Sequence, residues 1–239
     1  MLAVNKIDAS KQGVRDLKGK VLELIRSDNF DQRLNELCKL RARQVINPLF
    51  SFLCSSDEPI KWRAVTAMGA VVANLADEDM ESARVIMRRL MWQLNDESGG
   101  IGWGCPEAMG EILARHERLA KEYAHILISY TRPEGNYLEH EVLQRGLLWG
   151  IGRLSQVRPE LVKDAAQYII PYLKSPNANV RGLAALIMGL LEVKEARPSL
   201  EQLTDDKAEL KTYIDHRFIK NRVKELAEEA LKKLLSRVQ

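Results

Sequence analysis

At 239 residues the chain is long enough for one extended core or two compact domains, and 46% apolar with 29% charged residues excludes a disordered or fibrous polymer. Its 36 basic residues are almost offset by 33 acidic ones, and a net charge of +3 argues against a dedicated nucleic-acid binder, although a local basic stripe could sit inside the balanced total. Met1–Asp8 has no basic region leading into an apolar run and no stretch approaches the ~18 apolar residues of a membrane helix, so a cytoplasmic chain is expected.

In chain order, the first predicted elements are two short helices, Val14 to Arg26 and Phe30 to Leu40. Amphipathic helices follow at roughly 42–54, 79–94, 118–129, 159–173 and 195–213, the last broken at Thr204-Asp205-Asp206. They rest on apolar recurrence at i, i+3, i+4 and i+7, with Asp, Ser or Asn before the starts and Gly or Pro in the connections. Each is followed by a second helix, and these second helices resemble one another. Trp62-Arg63-Ala64-Val65-Thr66-Ala67-Met68-Gly69 returns as Trp103-Gly104-Cys105-Pro106-Glu107-Ala108-Met109-Gly110. Looser copies end on Gly152 and Gly189, and a fifth, Val223–Lys232, loses the glycine. The markers 69, 110, 152, 189 and 232 are spaced by 41, 42, 37 and 43 residues. A period near 40 signals a helical solenoid, because one helix pair can bury its apolar face only against its neighbours. A recurring helical glycine costs about 1 kcal/mol against alanine, so close helix–helix approach should offset it. A final helix is expected at about 216–237, with one wet face.

The motif Val180-Arg181-x-x-Ala184-Ala185-x-x-Met188-Gly189 resembles the second helix of HEAT repeats, including the variant in phycobilisome-lyase-like proteins. The resemblance covers about 45–237. It implies an all-α, right-handed α-solenoid of about five helix pairs with capping terminal helices, the second helices lining a concave surface. One domain is expected, with 1–41 as N-terminal cap, 42–215 as repeats and 216–239 as last inner helix and C-terminal cap.

The repeat register separates two stripes. Ala64, Met68 and Val71, with their counterparts in later copies, are apolar or small throughout and form a core stripe. The other stripe diverges: Trp62, Thr66, Ala70; Trp103, Glu107, Glu111; Arg145, Trp149, Arg153; Gly182, Leu186, Leu190. Aromatic and guanidinium groups on inner helices suit a recognition groove, because they supply contact area and directional hydrogen bonds. Alternatively, Glu107 and Glu111 could simply pair with Arg145 and Arg153 on the adjacent helix. Asn95-Asp96-Glu97-Ser98-Gly99-Gly100-Ile101-Gly102-Trp103-Gly104 is glycine-rich enough for close ligand approach, yet has no Gly-Lys-Ser/Thr step and no preceding strand to make it a phosphate loop.

Chemistry-bearing constellations are sparse. The four histidines form no HExxH, and no Cys/His cluster has ligand spacing. HEAT-like di-iron hydroxylases carry paired His-Glu steps at inner-helix starts, but only His140-Glu141 lies near one, so neither metal nor cofactor is expected. Cys38, Cys54 and Cys105, without a CxxC pair, read as reduced core thiols. The expected function is a non-catalytic protein-binding or scaffold module. Its groove would comprise Trp62, Arg63, Asn95, Asp96, Glu97, Trp103, Glu107, Glu111, Arg145, Trp149, Arg153 and Arg181, and its partner would be a protein or peptide segment. The alternative is DNA binding or alkylpurine excision. Trp103, Glu107, Arg145 and Trp149 loosely resemble the lining of HEAT-like glycosylases, with Glu107 or Asp96 as the acid and Lys61, Arg63, Arg181, Lys220 and Arg222 for phosphates.

Overall fold

The structure, a computed structural model, describes residues 13, 16–95 and 102–236. Helices α1 (16–26) and α2 (Phe30–Cys38) precede five successive units. The first three are helix pairs: α3 (Ala42–Leu53) with α4 (Glu58–Glu78), α5 (Met80–Leu94) with α6 (Cys105–Arg115), and α7 (Glu117–Ser129) with α8 (Glu141–Val157). The fourth pairs a run of one-turn helices, including α9 (Ala166–Ile169), with α10 (Ala178–Leu191). The fifth consists of α11 (Arg197–Leu203), a hairpin of β1 (Glu209–Ile214) and β2 (Arg217–Arg222), and α12 (Val223–Leu235). Helices α4, α6, α8, α10 and α12 pack one against the next as an inner row. One continuous apolar core runs from Val21 to Leu234.

Local chemistry accounts for the boundaries. Asp57, Asp79 and Asn177 cap α4, α5 and α10, each side chain accepting a backbone N–H of the first turn. Two histidines do the same through Nδ1: His116 for Leu119 at α7, and His140 for Val142 at α8. The helix expected at 159–173 is a chain of short turns, and Pro171, which lacks the N–H for an i→i−4 bond, falls inside it.

The recurring glycines mark close crossings, with one shift of register. A Cβ on Gly110 would lie 2.2 Å from the Cα of Gly150, and one on Gly189 would lie 2.7 Å from the Cα of Ala230. The third close approach therefore falls at Gly150. Around Gly152 the nearest atom would be a side-chain carbon of Ile187 at 3.5 Å, which is ordinary contact.

The helix expected over 195–213 ends as α11 at Leu203, at its foreseen break; beyond it the hairpin replaces the second half and moves the start of the last helix from about 216 to Val223. The expected boundary at 215/216 falls inside its turn. Asp215 and His216, at φ 46° and 62°, join the paired residues Ile214 and Arg217. Positive φ at both central residues suits a two-residue hairpin, whose twist then matches that of the strands.

Candidate functional site

The divergent stripe lies on the inner row, and β1 lies across it. Leu210, Thr212 and Tyr213 of β1 are buried, whereas β2 stays largely in solvent. Leu210 fills the space left by Gly182, where a Cβ would come within 2.4 Å of its Cδ1. The Tyr213 ring stacks on Trp62 with centroids 5.2 Å apart, and Trp62 meets Trp149 edge-on at 4.7 Å. Trp62 and Trp149 are consequently only 3% and 8% exposed. Burial pushes the Tyr213 phenol up to about 12, with the Thr66 hydroxyl beside it acting in the opposite direction. Two contacts read the strand's backbone rather than its side chains. Trp149 Nε1 donates to the carbonyl of Tyr213 at 2.8 Å, and the N–H of Lys211 donates to Asn179 Oδ1 at 3.4 Å.

Charges frame this aromatic clamp. Glu58, at the first turn of α4, receives Lys211 Nζ at 2.7 Å and Arg145 at 3.2 Å. The hydrogen bond from Lys211, followed by that from Arg145, holds the Glu58 carboxyl below its usual range against partial burial. Glu107, 2% exposed, pairs with Lys61 at 2.7 Å. Glu111 is equally enclosed and accepts from Arg115 at 2.6 Å and from Arg153 at 2.8 Å. At the turn of the hairpin, His216 bonds Asp31 and sits edge-on to Phe30, so the hairpin reaches from the last unit to α2. A small solvent-open cleft of about 70 Å³ remains beside it, lined by Glu111, Arg115, Arg153, Gln156 and Leu186 with Asp215 of the turn.

The structure thus brings together Trp62, Trp149, Glu107, Glu111, Arg145 and Arg153 of the expected site. Glu111 takes the partner foreseen in the self-paired alternative, Arg153, but Glu107 turns to Lys61 and Arg145 to Glu58. Arg63 is engaged with the N-terminal helices, donating to the carbonyls of Ile25 and Ser27 and lying over Phe30. Arg181 is held by Asp206 and by the carbonyls of Ser175 and Pro176. Trp103 sits in the turn before α6 at 40% exposure, its carbonyl near Cys54 Sγ. It is placed there by Gly104, which adopts φ 80° against Leu53. Asn95 is exposed at the end of α5, and Asp96 and Glu97 lie outside the described residues. Sequence reasoning missed Glu58, Asn179, Lys211 and Tyr213. The signal for the last two was Thr212-Tyr213-Ile214 and Phe218-Ile219, β-prone runs on either side of Asp215-His216.

Comparison with solved structures matches this arrangement over nearly the whole chain. A designed armadillo repeat protein in complex with the peptide (KR)4 superposes with a TM-score of 0.51 at 16% identity, covering 91% of this chain and 99% of the other. The fold is an armadillo/HEAT-type α-solenoid. An engineered protein superposes on the solenoid with a TM-score of 0.53 at 14% identity, covering 92% of this chain and 97% of the other. By sequence, the solenoid is similar to an uncharacterized protein of Archaeoglobus fulgidus, 29% identical over 117 residues, which is 49% of this chain and 55% of that relative. The match therefore spans only about half of either protein. No family model matches the chain.

Proposed function

We propose that this solenoid is a non-catalytic protein-binding or scaffold module, and that its inner-row face receives a peptide segment of a partner. The observation that carries this reading is that the face already grips an extended strand by its backbone, through Trp149 Nε1 and Asn179 Oδ1. Such contacts suit a binder of extended chain, since they satisfy main-chain groups whatever the side chains are. The designed armadillo protein with its bound peptide supports the same use of the fold. Trp103, partly exposed, and Arg145, at the rim of the clamp, are the remaining candidates for contact with the partner. Excision of a damaged base gains no support: of its two candidate acids, Glu107 is committed to Lys61 beneath the surface and Asp96 lies outside the described residues.

The test is capture of partners from source lysate by wild type and by the double variant Trp103→Ala/Arg145→Ala, with and without nuclease. Circular dichroism verifies that both are folded, and cross-linking maps the contact. Nuclease-resistant capture, lost in the variant and cross-linked to inner-row residues, is the expected result. Nuclease-sensitive capture would favour a nucleic-acid partner, and equal capture by both proteins would move the binding face elsewhere.

A further inference from the structure

Hairpin residues 209–222 occupy the face on which the proposed function relies, and the manner of occupation says what that face selects. Four successive residues of β1 meet four different features. Leu210 enters the gap over Gly182, and Lys211 reaches the carboxylate of Glu58. Thr212 is buried toward β2, taking a hydrogen bond from Asn221 Nδ2 at 3.1 Å. Tyr213 stacks on Trp62 while its carbonyl takes the indole N–H of Trp149. The two specific contacts are an acid for a cation and an aromatic cage for a ring, two residues apart.

The hairpin is also a local unit: among the described residues its two strands pair only with each other. Its root is closed by backbone bonds from Val223 N to the Ala208 carbonyl and from Lys224 N to the Asp206 carbonyl. Apart from its root, its holds on distant helices combine polar contacts to Glu58, Asn179, Trp149 and Asp31 with the buried Leu210 over Gly182 and the Tyr213 ring stacked on Trp62.

Resting on the binding function proposed above, we infer that β1 is an internal mimic of the partner. The groove would then select an extended segment carrying a basic residue two positions before an aromatic one, and the partner gains access by displacing the hairpin. The mimic lowers apparent affinity by the fraction of molecules in which it is seated. It also favours partners that outbid it at both the acid and the cage.

The full-length chain carrying Lys211→Glu/Tyr213→Ala loosens the mimic, and the probe is a labelled peptide of residues 207–216. The variant should bind this peptide at least tenfold more tightly than wild type. The same peptide with Lys211→Glu or Tyr213→Ala should bind at least tenfold more weakly. Adding Glu58→Lys to a Lys211→Ala/Tyr213→Ala chain, whose hairpin offers no charge of its own at that position, should switch its preference to the Lys211→Glu peptide, a reversal that a merely structural Glu58 would not produce. Absence of peptide binding by the folded variant, or binding indifferent to both peptide changes, overturns the inference. Should the variant fail to fold, hydrogen exchange on wild type decides. Exchange of 209–222 through local opening, faster than in α10 and α12, is required, and exchange only through global unfolding refutes a displaceable hairpin. If the opened groove ignores the peptide while wild type still captures its partner through Trp103 and Arg145, the hairpin is groove floor and the binding function stands. If the peptide binds but Trp103→Ala/Arg145→Ala leaves capture intact, the partner is held on another face, and the inner-row reading fails independently of the peptide result.

Discussion

Gly110 and Gly150 let two inner helices touch backbone to backbone, and a methyl group there has nowhere to go. Gly110→Ala should destabilise the fold by about 1–3 kcal/mol through overpacking. Gly152→Ala, with only Ile187 side-chain carbons nearby, should be neutral or stabilising by roughly 0.5–1 kcal/mol through reduced unfolded-state entropy. Urea denaturation of the two variants measures both, and equal effects would contradict the assigned crossing. Glu107 poses the opposite problem, a buried charge with one counterion. Glu107→Ala should cost about 3–5 kcal/mol because Lys61 is left enclosed without its partner. Lys61→Met/Glu107→Gln should recover most of that loss. If the double variant is as unstable as the single one, the pair is not an isolated unit.

The hairpin is the element on which pH should act. The folded-state pKa of Glu58 lies below its ordinary value, chiefly because Lys211 bonds the ionised form. The anchoring it provides is therefore complete above the ordinary carboxylate range and is lost as pH falls through the lowered pKa. Hydrogen exchange, corrected for intrinsic rates, should show protection of 209–214 declining on acidification, and Glu58→Gln should show the low protection at neutral pH. A wild-type profile that matches Glu58→Gln at every pH would remove Glu58 from the anchoring. At this scale the sequence was misleading for a physical reason. Leu210, Tyr213 and Ile214 also fit helical i, i+3, i+4 spacing, and Asp-His is a weaker hairpin signal than Asn-Gly or Asp-Gly.

Across the whole molecule, the hairpin ties the last unit to α2 and α4 through His216–Asp31, Lys211–Glu58 and Tyr213–Trp62. Repeats in an ordinary solenoid feel only their neighbours, so distant parts can unfold separately. The tie should make wild type unfold in a single steep denaturant transition. Lys211→Glu/Tyr213→Ala should broaden that transition or split it, with a lower apparent m-value. Unchanged steepness would mean that the stacked core alone carries the cooperativity.

The solenoid was legible in the sequence because its cause is local and repeated. Apolar residues at fixed positions of each second helix, with Ala-Met-Gly at Ala67–Gly69 and Ala108–Gly110, leave one way to bury them, against the next copy. The stripe of Trp62, Glu107, Arg145 and Trp149 was legible as unusual for the same reason, since it departs from that pattern. Only the tertiary structure decided what covers the stripe. Tyr213 has no sequence neighbour that marks Trp62 as its partner; stacking of the units brings the two together, and the hairpin turn at Asp215-His216 sets which residues of β1 face inward. Periodicity encodes how a repeat packs, whereas contacts between remote units depend on how all the intervening repeats add up.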